Sequence, residues 1–121
     1  ISKEHNDPFD LHQTTILLNL AKIYCLKQNY DAALETYTRL YSVFTKVKGY
    51  ISREVALALT NMGLMHYNLQ NFSDALSCYE EALDVLRDHL GNDDHVDVAS
   101  VLKHMGCAHF EMEELQDAEE A

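Results

Sequence analysis

Leu17 to Leu40, LLNLAKIYCLKQNYDAALETYTRL, recurs 42 residues later as LTNMGLMHYNLQNFSDALSCYEEA, Leu59 to Ala82. Self-similarity at a fixed period marks a chain built from stacked supersecondary units, so these two lines decide the fold class before any single element is assigned. Leu17 meets Leu59, Asn19 meets Asn61, Gln28-Asn29-Tyr30 meets Gln70-Asn71-Phe72, Ala33 meets Ala75 and Tyr37 meets Tyr79. A third copy, LKHMGCAHFEMEELQDAEEA from Leu102 to Ala121, follows at an offset of 43 and carries Met105, Gly106, Leu115 and Ala118 at the same stations.

Each copy divides into two amphipathic halves. Leu17, Leu20 and Tyr24 fall on one stripe of a helix, and Ala33, Leu34, Tyr37, Leu40 and Tyr41 repeat the pattern in the second half. Between them lies a short polar hinge in which Asp31 and Ser73 are the expected N-caps of the following helix. Helical hairpins are predicted, with first helices near 12 to 28, 54 to 70 and 97 to 112, and second helices near 31 to 47, 73 to 89 and from 115 onward. The repeats then span about 12–47, 54–89 and, in part, 97–121 of a single array. Ala21, Gly63 and Gly106 on the first helices, with Ala33, Ala75 and Ala118 on the second, leave room for close backbone approach. Tyr24, Tyr30, Phe72 and Leu115 are expected to fill the space beside them. A mid-helix glycine, which costs about 1 kcal/mol relative to alanine, is accounted for by that packing.

Composition agrees with an all-α chain and narrows what it does. With 121 residues, 4 Gly and 1 Pro it has room for one core and too few turn-makers for a many-stranded β fold. Nine basic against 20 acidic residues give a net charge of −11, which leaves no source for phosphate attraction, so nucleic acid and acidic membranes are poor partners. No apolar run approaches the roughly 18 residues of a membrane span, and residues 1–10 resemble no signal segment. Cys25, Cys78 and Cys107 are odd in number and widely spaced, which fits free thiols packed as small hydrophobes in a reducing, cytoplasmic setting. Ile1 to His5 would suit the tail of a preceding helix, and the last hairpin stops just past Ala118, so the open ends are expected to be covered by further repeats or by self-association.

The recurring order of Leu/Met before Ala/Gly, an aromatic, Asn-Tyr/Phe, Ala and Tyr resembles the tetratricopeptide repeat across nearly the whole chain. The segment from Leu90, LGNDDHVDVASVLKHMG, is similar to the longer repeats of kinesin light chains, with Val96 where that family usually has proline. The resemblance implies a right-handed solenoid of antiparallel hairpins whose concave face is lined by first helices and holds a protein or peptide. Its groove stations correspond to Thr15, Leu18, Asn19, Lys22 and Cys25 in the first copy. The second copy gives Leu57, Thr60, Asn61, Leu64, Tyr67 and Asn68, and the third gives Ser100, Lys103, His104, Cys107, Phe110 and Glu111.

Asn19 and Asn61 share one station, where an amide can donate to and accept from an extended peptide backbone or else bridge neighbouring helices; His104 takes the third rung. Leu64, Tyr67 and Phe110 are either pockets for a partner's apolar side chain or core. Residues 14–28, 57–70 and 100–112 carry Lys22, Lys27 and Lys103 against Glu111 alone, whereas 31–47 and 73–89 carry seven acids against three bases. The groove therefore suits a neutral to mildly acidic ligand. The carboxylate clamp of chaperone-binding relatives is not matched, because Leu18 holds the lysine station and Ser100 and His104 replace its third-repeat basic pair. His66 and His109 are expected to pack between helices, and His89, Asp93, Asp94 and His95 lack metal-ligand spacing. With no catalytic motif, cofactor loop or metal site, the chain reads as a noncatalytic interaction scaffold. A structural spacer of a longer array and the regulatory arm of a larger enzyme are the alternatives.

Overall fold

In the computed structural model, residues 8–90 and 96–120 are described, with side chains placed over 12–89 and 96–115. Five α-helices account for them: α1 (Pro8–Leu26), α2 (Tyr30–Lys48), α3 (Arg53–Asn68), α4 (Phe72–Leu90) and α5 (Val96–Glu120). Each packs on the next, and α3 also touches α5, so the helices form a hairpin solenoid around one continuous core. Ala21, Ala33 and Ala75 are fully buried, as the small-residue stations require, and Tyr37, Leu40, Val55, Leu59, Tyr79, Leu86, Val98 and Val101 fill the space between hairpins.

The two hinges share one mechanism, and it differs from the expected caps. Gln28 and Gln70 adopt φ of 60° and 67°, a left-handed conformation that costs a non-glycine residue roughly 1–2 kcal/mol. Two hydrogen bonds offset that cost at each hinge. Asn29 N–H donates to the Tyr24 carbonyl and Gln28 N–H to that of Cys25; 42 residues on, Asn71 N–H donates to His66 and Gln70 N–H to Tyr67. This pairing satisfies carbonyls that would otherwise be orphaned at the helix end. The cap of α2 is Asn29, whose side chain accepts from Ala32 N–H at 3.4 Å, two residues before the expected Asp31. Asp31 instead sits in the first turn, where its charge opposes the helix dipole. Ser73 likewise falls inside α4, which begins at Phe72.

The loop between the first two repeats is equally determined. Gly49 ends α2 at φ 90°, where a side chain would be strained, and its N–H donates to the Thr45 carbonyl. Ser52 accepts from Val55 N–H at 3.2 Å and donates to the Gly49 carbonyl at 2.9 Å, thereby capping α3. Tyr50 and Tyr41 both donate to Glu81 of α4, at 2.7 and 3.4 Å, and tie the first repeat to the second. The Tyr50 hydroxyl is pushed up to about 12 by that bond first and by burial second.

The third copy departs from the sequence expectation. Glu113 and Glu114 stand where the other copies have Gln-Asn, and glutamate is a strong helix former, so α5 runs through the expected hinge to Glu120 with no new helix starting at 115. Leu115 is consequently exposed rather than packed, and Gly106 faces open space, with nothing within 4 Å of where a Cβ would stand. His109 and Cys107, expected to pack, are exposed. Ala118, Ile1 to His5 and Asp93, Asp94 and His95 lie outside the described side chains.

Candidate functional site

Helices α3, α4 and α5 enclose a groove with α3 and α5 as walls and α4 as floor. α3 enters it with no charged side chain from Val55 to Asn68, and α5 carries only Lys103 from Val98 to Phe110 if histidine is counted neutral. Two pockets lie along it. The first is bounded by Arg53, Leu57, Thr60, Leu86, Asp97 and Ser100, and the second by Leu64, Tyr67, Tyr79, His104 and Cys107. Their empty volumes, about 300 and 260 Å³ including the open mouths, suit one side chain each rather than a cofactor.

An ion pair closes the first pocket's rim. Arg53 Nε donates to Asp97 Oδ2 at 2.6 Å, with a longer contact of 3.5 Å from Nη2 to Oδ1, and the carboxylate raises the guanidinium further above its ordinary value. Beneath it the wall is Leu57, nearly half exposed at 48%, and the floor is Leu86. Thr60 donates its hydroxyl to the Ala56 carbonyl at 2.8 Å, so it lines the cavity without a free donor.

The second pocket is floored by Tyr79. Tyr79 is fully buried beside Gly63, where a Cβ would stand 2.5 Å from its Cε1, and His104 stacks on its ring at 5.7 Å. The Tyr79 hydroxyl is buried without a hydrogen-bond partner, and burial above all pushes it up to about 12. Burial, then the neighbouring Lys103, holds the His104 imidazole below its usual value and favours the neutral ring. Tyr67 donates to Glu111 at 3.2 Å across the groove and packs edge-on against Phe72 at 5.3 Å.

Of the residues singled out by sequence, Thr60 lines the first pocket, and Leu64, Tyr67 and His104 meet in the second. Asn61, half-buried on α3, and Lys103, exposed on α5, lie beside these residues in sequence but line neither pocket. Asn19 and Lys22 are exposed on α1, and with Asn68 and Phe110, also exposed, they line neither pocket. Sequence reading missed Arg53 and Asp97. The available signal was their position in the first turns of successive first helices, 44 residues apart, close to the repeat register. It also missed Tyr79, which the repeat pattern assigns to the core. Among the described residues no group of three or more His, Cys, Asp or Glu is placed to hold a metal ion.

A family model described as tetratricopeptide repeat matches residues 12–88 and again residues 54–121. No curated protein matches the chain.

Proposed function

Because the chain belongs to the tetratricopeptide repeat family, we propose that it is a noncatalytic protein-interaction scaffold whose working surface is the groove lined by its first helices. The observation that carries this reading is the paired pockets between α3 and α5, each large enough for one side chain and set in walls almost free of charge. Such a surface rewards burial of a partner's apolar side chains without a desolvation cost for ions. The ligand is neutral to mildly acidic, because Arg53 at the first pocket is paired with Asp97, which leaves Lys103 of α5 as the further base beside the pockets, while acid crowds α4 and the end of α5, including Glu113 and Glu114. The longer repeat period and the Leu90 segment support a likeness to kinesin light chain-type repeats, and a cytoplasmic site of action suits three free thiols. No helix among the described residues is long and apolar enough to cross a membrane.

A peptide array probed with this chain and with an Asn61→Ala, Lys103→Glu double variant tests the reading. The expected outcome is loss of most captured spots in the variant; equal capture by both removes the groove from consideration. A second reading, self-association through the ends of the solenoid, draws on Ile16, Ile23 and Leu26 of α1 and on Leu102 and Leu115 of α5, all about half exposed or more. A mass that rises with concentration while no peptide is captured favours it.

A further inference from the structure

The two pockets are in register with each other on all three helices that form them. Leu57 and Leu64 on α3, Leu86 and Tyr79 on α4, and Ser100 and Cys107 on α5 are each seven residues apart. Seven residues are two helical turns, so the pockets lie about 10.5 Å apart along the helix axes. An occupant that fills both must run along α3 and α5, not across them. A β-extended chain returns a side chain to one face every two residues, about 6.7 Å, and next at about 13.4 Å, and it misses the second pocket. A polyproline segment comes nearer, at about 9.3 Å for three residues, but leaves its backbone amides and carbonyls to be satisfied in a groove whose Thr60 and Tyr67 hydroxyls are already donated to Ala56 and Glu111. An α-helix repeats its face at seven residues with the matching rise and satisfies its own backbone.

The pockets also differ in chemistry. Tyr37, the counterpart of Tyr79 in the first repeat, has the Cys25 thiol as neighbour and hydrogen-bond partner. The station of Cys25 is taken in the second repeat by Tyr67, which turns its own hydroxyl to Glu111, and the buried hydroxyl of Tyr79, whose side chain lines the pocket, is left without a partner. A buried donor of this kind is costly until something accepts from it. Between the pockets, Lys103 stands exposed on the stripe that runs from Ser100 to Cys107.

Resting on the groove reading above, we infer that this groove receives an α-helix of a partner protein lying along α3 and α5. That helix offers an aliphatic side chain to the pocket beside Arg53, a carboxylate three or four residues on to Lys103, and seven residues on a side-chain oxygen that accepts from Tyr79. Charge complementarity selects an acidic rather than a basic helix, since Arg53 and Asp97 neutralise each other at the rim and Glu111 is held by the Tyr67 hydroxyl, which leaves Lys103 as the base that faces a carboxylate between the pockets.

The probe is a lactam-stapled, alanine-based helix carrying Leu, Glu four residues later and Gln seven residues later, titrated by fluorescence anisotropy against the full chain. It should bind at least tenfold more tightly than the same helix with Gln moved to five residues after the Leu or with that Gln replaced by Leu. Tyr79→Phe, which removes only the unpartnered hydroxyl and keeps the packing, should abolish the preference for Gln over Leu while leaving the circular dichroism spectrum unchanged. Equal affinity for the spacing variants, a preference for Gln that survives Tyr79→Phe, or no binding by any stapled helix overturns the inference. The array separates the two levels. If extended peptides are captured and lost on Asn61→Ala, Lys103→Glu while every helix fails, the groove remains the working surface and its occupant is a strand. If the array also fails, both readings fall.

Discussion

Gly63 and Gly106 occupy one station of the repeat, yet one is sealed and the other open. At Gly63 the ring of Tyr79 lies where a side chain would begin, whereas nothing approaches Gly106. The difference teaches that the glycine records a neighbour, not a property of its own helix. Helix α3 has α4 folded back on it through a hinge that tolerates a left-handed glutamine; α5 has two glutamates at that place and continues straight.

The largest test of this contrast is a pair of substitutions. Gly63→Leu must displace a tyrosine ring that is fully buried and stacked on His104, and it should cost at least about 1–3 kcal/mol, the overpacking range, with thermal midpoint lowered by several degrees. Gly106→Ala meets open space and gains helix propensity, and it should stabilise by about 0.5–1 kcal/mol. Thermal unfolding followed by circular dichroism reads both; two shifts of the same sign would erase the distinction between the stations.

A smaller effect sharpens the comparison on the closed half. Tyr50 reaches from the inter-repeat loop to Glu81 and is held neutral by that bond, so its contribution is fully present below pH 10 and is lost as pH rises towards about 12. Tyr50→Phe should therefore lose less stability than the parent chain between pH 10 and 12 in urea titrations. Parallel curves would mean that the bond does not couple the repeats.

Much of this arrangement is legible in the sequence, and the limits of that reading have physical causes. The period, the buried alanines and the two hinges follow from residues that recur at one offset. The caps do not, because Asn29 and Asp31 are both good N-caps and only the left-handed Gln28 decides that α2 starts early. The third hinge misleads because Leu115 and Ala118 keep their stations while the Gln-Asn between the helices is gone. In the candidate site, Leu64, Tyr67 and His104 were found through the groove stations. Arg53 and Asp97 were not, since a cross-repeat ion pair has no periodic signature, and Tyr79 was hidden by being core and pocket floor at once.

The central claim, that partners bind between α3 and α5, is tested most directly through Cys107. It is the exposed one of three free thiols and lines the second pocket, whereas Cys25 and Cys78 are half-buried and burial chiefly pushes the Cys78 thiol up to about 11. Brief alkylation near neutral pH with one equivalent of a bulky maleimide should place the adduct in that pocket, with attachment checked by peptide mass mapping. Peptide-array capture should then fall to background while the helical spectrum is kept. Undiminished capture by the fully Cys107-labelled chain would contradict the account.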